Sequence, residues 1–431
     1  MDSPEIAGAI ARCDAWLDTM RGPQGYGGPV AHWWKSCLLY AGVGLDWRYE
    51  GIILGYLKLH ARTGDGRWLA KARRAGDDLL NGQLPNGSYR NSCFELNPYP
   101  GGTPHEAACD LALLELARVL RQRGDAGWEG YGGAAEHNLR GYYLGRLWDR
   151  EAQRFWDDPE LRSFVPNKAA TLAEAWLKLA ELTGHDEPAV AYGLPALRAI
   201  LDYQVRGGRL DGAIDQSGRR EKRAGRYFPY YIARCVAGLL AGHDWARDDR
   251  YLDAALRAMG FVLRTRYDDG SFPQVVYAGG HVNRYPQWVA GVGDILRAME
   301  VLRPFGVAAD PQPTLDWLLR GQGPAGGFRT ARGFASQVSQ REPGPLPEFR
   351  DLLAVAGWTD KAFRYLAGTV DDRAGSKEQG VHEEDCVFRG KRYGYREDRD
   401  VVQVHLGGQA RYRWRKGQAW AEMAAPESWG T

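Results

Sequence analysis

The stretch VPNKAATLAEAWLKLAELTG, residues 165–184, sets a proline and two polar residues ahead of a run of small and apolar residues at helical spacing. Related phrases recur: TPHEAACDLALLELARVL (103–120), FPYYIARCVAGLLAG (228–242), YPQWVAGVGDILRAMEVL (285–302) and LPEFRDLLAVAGW (346–358). Their prolines are Pro104, Pro166, Pro229, Pro286 and Pro347, and a further copy, DWRYEGIILGYLKLHARTGD (46–65), has Trp47 in the proline's place. The starts fall roughly sixty residues apart, enough for two helices and their loops. Proline sacrifices nothing at the first helical position, because that N–H has no intrahelical acceptor. Each phrase therefore predicts a helix start, and the small apolar composition on most faces predicts a helix packed on several sides.

A second, more amphipathic helix follows most copies, at 65–80, 186–204, 248–265 and 310–320. Gly-rich turns then recur at GQLPNGSYR (82–90), RYDDGSFPQ (266–274) and GQGPAGGFRT (321–330). Residues 6–30 read as an outer helix and its turn, placed to sit beside the sixth unit and close a ring. The expected fold is all-α, an (α/α)6 toroid of about six helical hairpins over residues 1–370; an open helical solenoid is the alternative. After about residue 375 the pattern alternates apolar and polar, which predicts a small antiparallel β appendage over residues 371–431.

Composition narrows the class of function. The chain has 431 residues, 44% hydrophobic and 26% charged, as an ordinary globular protein does. A formal net charge of +2 gives no bulk electrostatic case for nucleic acid or an anionic membrane. Six scattered cysteines without a CxxC pair suit a reducing compartment. The N-terminal sequence lacks a basic segment followed by an apolar core, and no apolar run reaches the ~18 residues of a membrane helix. A cytoplasmic location is expected. No motif calls for a cofactor. His382, Asp385, Cys386 and His405 are of zinc-ligand type, but their spacing is a poor match to a zinc site and no metal is expected.

A ring of hairpins carrying ARTGDGRWLAKARRAGDDLL (61–80) resembles the six-hairpin carbohydrate-active enzymes: glycoside hydrolases, toroidal polysaccharide lyases and sugar epimerases. The segment WLLRGQGPAGGFRT (317–330), with Gln322, Gly326, Gly327 and Phe328, also resembles the terpenoid-cyclase and prenyltransferase toroids, whose repeats carry a Gln before a Gly-Gly-aromatic turn. No DxDD or DDxxD acid motif accompanies that segment. Both resemblances concern architecture and cover most of residues 1–370. Neither transfers a catalytic residue by motif.

Candidate site residues follow from the helix starts instead. If the inner helices run parallel, their amino ends, with unpaired N–H groups and partial positive charge, converge on one face. The polar residues there are of the types a sugar pocket uses. Catalytic candidates are Asp46, Glu50, His105, Glu106 and Tyr230. Substrate-binding candidates are Arg48, Tyr49, Asn167, Lys168, Arg226, Tyr231, His281, Asn283, Arg284, Tyr285 and Trp288. Asp46 or Glu50 paired with Glu106 on an adjacent helix suits hydrolysis with two carboxylates. A His or Tyr base beside Asn or Arg suits β-elimination or epimerisation. The expectation is an enzyme acting on an acidic oligosaccharide or sugar conjugate by hydrolysis, β-elimination or epimerisation. An isoprenoid-diphosphate cyclase or transferase and a non-catalytic binding toroid are the alternatives. The oligomeric state stays open.

Overall fold

In a computed structural model of the protein, residues 3–32, 37–41, 43–92, 101–220, 222–369, 381–388 and 390–417 are described. Cys93 and the expected boundary at residues 370 and 371 lie outside them. Six inner helices run Arg48–Thr63, Ala107–Gln122, Pro166–Thr183, Pro229–Ala246, Val292–Leu302 and Ala356–Leu366. Each packs on the next, and the last packs on the first, so the contacts form a closed cycle. At the closing seam Gly51 is obligatory: a Cβ there would sit 2.3 Å from the Asp360 carbonyl oxygen, inside any van der Waals distance.

An outer helix backs each inner one: Gly66–Gly82, Trp128–His137 continued by the π-helical Asn138–Leu147, Leu194–Leu201, Asp249–Arg264 and Gln312–Arg320. Ser3–Met20 backs Ala356–Leu366, the place expected for the first helix. The inner-to-outer turns are short because their ends are capped. Gly64 takes φ 70° after Thr63, and Asp65 accepts from the Arg67 N–H at 2.9 Å to start the next helix. Asp248 does the same at Arg250. No helix among the described residues is long and apolar enough to cross a membrane.

Of the five repeated prolines, only Pro166 and Pro229 mark the first helical turn. At Pro104 the helix waits until Ala107, because the Glu106 carboxylate first takes the amides of Gly102 and Thr103 and closes a turn. After Pro286 the backbone is extended: Gln287–Trp288 pairs with Ala331–Arg332, and the helix begins at Val292. Pro347 departs furthest from expectation. Its helix is only Phe349–Leu352, since Leu353 accepts from the Thr330 amide and Ala354 pairs with Arg329. The sixth inner helix is therefore Ala356–Leu366, beginning only at the end of the repeated phrase of 346–358.

The tail forms one antiparallel sheet of four strands, His382–Phe388, Lys391–Glu397, Val401–Leu406 and Gln409–Arg415. It is anchored on the first helix and the sixth unit: Trp16 Nε1 donates to Glu397 at 3.3 Å, and the Phe349 and Tyr395 rings lie 5.7 Å apart. Strand alternation separates the metal-type residues there, leaving Cys386 buried and Asp385 exposed beside Arg392.

Candidate active site

The amino ends of five inner helices open onto one cavity of about 400 Å³. Trp47 comes from the first, His105 from the loop opening the second, Asn167 and Lys168 from the third, Tyr230 and Tyr231 from the fourth, and Trp358 and Lys361 from the sixth. Trp288, just before the fifth, stands behind this wall, its ring 5.2 Å from Tyr230 and 4.5 Å from Trp358. Connecting loops add Asp157, Ser163, Gln216, Ser217 and Arg226. One turn deeper, Thr171 and Arg234 line the floor.

Below that floor lies a closed set of buried charges. Arg234 donates to Glu50 at 2.8 Å and to Asp294 at 3.3 Å. Arg364 bridges the same two carboxylates, 2.5 Å from Asp294 and also in contact with Glu50. Burial alone pushes Glu50 up, but Arg234, Arg364 and Lys361 outweigh it and hold its pKa at about 2. Asp294 is held far below the usual carboxylate range by the same guanidinium groups against the same burial. Beside them Lys361 pairs with Asp360 at 2.6 Å, and burial, opposed by Lys361, raises Asp360 to about 7.

Among the described residues His105 is the one imidazole in the cavity lining. Burial, reinforced by the Lys168 and Lys361 ammonium groups, pushes its pKa well below the ordinary value, so the ring is neutral at pH 7. Its ring centroid lies 5.0 Å from that of Trp47, the two planes tilted by 57°. Glu106 next to it is not in the lining: it is fully buried and accepts from Ser92, from the Gly102 and Thr103 amides at 2.9 and 3.2 Å, and from Asn138 at 2.6 Å. These four bonds pin the loop that presents His105. Burial raises Glu106 to about 7 in spite of them.

Of the sequence candidates, the structure brings His105, Tyr230, Asn167, Lys168, Arg226 and Tyr231 together in the cavity. Tyr230 presents its ring and aims its hydroxyl at Asp294, 3.3 Å away; burial and that carboxylate hold the phenol protonated. Asp46, Arg48 and Tyr49 face elsewhere. Arg48 grips Asp46 at 2.7 and 2.9 Å and the Tyr26 carbonyl at 3.0 Å, and the Tyr49 hydroxyl lies 3.3 Å from Asp78. His281 and Asn283 bond each other at 2.7 Å on the hairpin of Val275–Tyr277 and Val282–Asn283. Arg284 lies over the Tyr267 ring, and Tyr285 donates to Glu342. None of these seven lines the cavity, and neither do Glu50, Glu106 and Trp288, which build its floor and walls.

Trp47, Thr171, Arg234, Trp358 and Lys361 were missed as site residues. Thr171 and Arg234 stand four residues after Asn167 and Tyr230, on the same helix faces, so extending each start by one turn finds them. The Gln of the terpenoid-like turn has a mechanical role: Gln322 receives Arg12 at 2.7 Å and donates to the Ala9 carbonyl at 2.8 Å, fastening the fifth outer helix to the first helix. Gln83 and Gln204 fasten their turns to Ala134 and Ala254 in the same manner.

No family model matches the sequence, and no curated protein matches it either. Solved structures do share the fold. D-mannose isomerase superposes with a TM-score of 0.62 at 10% identity, covering 84% of this chain and 96% of that one. Cellobiose 2-epimerase from Bacillus thermoamylovorans gives 0.62 at 10% identity over 81% and 94% of the two chains. An unsaturated glucuronyl hydrolase specific for heparin gives 0.60 at 12% identity over 84% and 95%. The chain thus has the fold shared by these carbohydrate-active enzymes.

Proposed function

We propose that the protein is an (α/α)6 toroid enzyme that moves a proton at a carbon next to a carbonyl or carboxylate of an acidic sugar. The observation that carries this reading is the composition of the cavity: a neutral imidazole and two lysines share its lining, and the one carboxylate there among the described residues, Asp157, is held by Lys168 at 2.5 Å. Hydrolysis by paired carboxylates calls for an acid and a base flanking the bond. The carboxylates that the sequence offered for those parts, Asp46, Glu50 and Glu106, are engaged outside the cavity.

His105 takes the proton from carbon, and the electron pair left behind moves onto the neighbouring oxygen as an enolate. Lys361 and Lys168 stabilise that negative charge. The imidazolium then returns the proton to the neighbouring carbon in isomerisation, to the opposite face of an enolate that has turned over in the cavity in epimerisation, or to the departing oxygen when the enolate expels a β-substituent in elimination. A low pKa suits the return step, because the imidazolium gives up its proton readily. The Trp47 and Trp358 rings supply apolar platforms for a sugar face. Two of the shared-fold enzymes are, by name, an isomerase and an epimerase, which supports the reaction class, and a third is a glucuronyl hydrolase, which supports an acidic sugar as substrate. Among the described residues Cys13, Cys109, Cys235 and Cys386 are free and buried, which suits a reducing cytoplasm.

Product analysis of a panel of uronates, neutral aldoses and uronyl disaccharides tests the reading. The expected products are an isomer of unchanged mass or an unsaturated sugar absorbing in the ultraviolet. Saturated fragments whose masses together exceed that of the substrate by one water refute it in favour of hydrolysis, with Asp157 as the acid.

A further inference from the structure

The basic segment GRREKRAGR (218–226) has no part in the chemistry above, and Arg226 is its one residue in the cavity lining among those described. It folds as the hairpin Gly218–Arg219 and Lys222–Arg223, whose outer neighbour is the strand Ser163–Phe164. That sheet is the rim of the cavity. Ser163 and Ser217 line the cavity itself, and Ser163 pairs directly with Arg219. Arg162, Arg219, Arg220, Lys222 and Arg223 are all exposed on it, continuous with Arg226 inside. Among the described residues none of these six cations forms an ion pair with a carboxylate. Arg223 donates to the Asp202 carbonyl and lies 5.3 Å from the Tyr203 ring, which fixes its side chain over an aromatic face.

The contrast with the rest of the molecule gives this cluster its meaning. A chain with 56 Lys and Arg against 54 Asp and Glu has almost no net charge to spare. Inside the cavity Lys168, Arg234 and Lys361 already have carboxylate partners in Asp157, Glu50 and Asp360. Arg226 in the cavity and the five exposed cations of the adjoining sheet have no such partner among the described residues, so the rim is a local concentration of unanswered positive charge. Repulsion among them disfavours the empty state, and a line of negative groups spaced along a flexible polymer relieves it.

We propose that this rim is an extended subsite for an acidic oligosaccharide: one sugar unit enters the cavity, with Arg226 at its carboxylate, and the following uronate units lie along Arg219, Arg220 and Lys222. The proposal rests on the sugar-acid reading of the cavity and adds to it that the substrate is a polyuronate chain. Exposed charges of this kind act through long-range attraction, so the preference for length weakens with salt.

Calorimetric titration with galacturonate, its linear hexamer and neutral cellohexaose tests the subsite in the wild type and in the triple variant Arg219→Ser, Arg220→Asn, Lys222→Ser. Asparagine is chosen at position 220 because that residue has φ 46°. At low salt the hexamer is expected to bind at least about tenfold more tightly than the monomer, with cellohexaose far weaker than either. The triple variant is expected to lose that length advantage and keep its affinity for the monomer. Equal affinity for monomer and hexamer, or a variant that keeps the advantage, overturns the subsite. An oligonucleotide of matched charge that binds as tightly as the hexamer also overturns it, as mere attraction to polyanions. The chemistry fails separately: a length preference without turnover of any sugar refutes the proton-transfer reading and leaves the rim site standing.

Discussion

Replacement of His105 by alanine is expected to lower kcat by a factor on the order of 10² to 10⁴, the usual contribution of a positioned general base. The ring shares the cavity lining with Lys168 and Lys361, and no other imidazole lines the cavity among the described residues. Binding is expected to change little, because Arg226 and the aromatic walls remain. Stability is expected to hold, since the bonds to Glu106 that pin the loop remain. Steady-state kinetics with a melting curve checks all three. The pH dependence carries a sign. The folded-state pKa of His105 is depressed, so the base stays competent well below pH 6.5, and activity falls on the acid side only when the imidazole finally protonates. A mutant with unchanged kcat removes His105 from the chemistry.

The second large effect is on stability. Glu50→Ala is expected to cost about 3–5 kcal/mol, because it strips one of two carboxylates from Arg234 and Arg364 in a site closed to water. Chemical denaturation measures it. Removing Arg364 as well is expected to recover part of the loss, the mark of a coupled pair in a double-mutant cycle. Glu50 also sets a pH window. Its folded pKa of about 2 lies below the ordinary 4.5, so its contribution is fully present above pH 4.5 and is lost as pH falls toward 2. Glu50→Ala is expected to flatten that part of the stability profile. The buried ion pairs also explain why this carboxylate, prominent at a helix start in the sequence, serves the floor of the cavity: five helices meet there, and the guanidinium groups hold their relative positions.

Much of the architecture was legible because repetition is a global signal. One phrase repeated at nearly constant spacing implies units of one kind, and small residues such as Gly51 on the repeated helices imply neighbours in close contact. The sixth unit was misplaced because Pro347 satisfies the same local rule as Pro166. Proline fits a turn or an extended segment as well as a first helical position, and backbone pairing of 353–354 with 329–330 decided against the helix. That shift hid Trp358 and Lys361. The candidate site was half legible for a related reason. Helix starts identify which residues stand near the mouth, as His105, Asn167, Lys168 and Tyr230 do. They do not identify which charges are already answered. Asp46 is matched by Arg48 two residues away, but Glu50 is matched by Arg234 and Arg364, which lie 184 and 314 residues distant in sequence.

The most direct test of the central claim is hydrogen exchange at carbon. Wild-type protein and His105→Ala are incubated with a uronate in D₂O, and the sugar is followed by proton NMR. The account predicts loss of the signal from the carbon beside the carbonyl or carboxylate as deuterium enters, at a rate that collapses in the variant. Turnover with that C–H signal intact, or exchange at the same rate without His105, contradicts it.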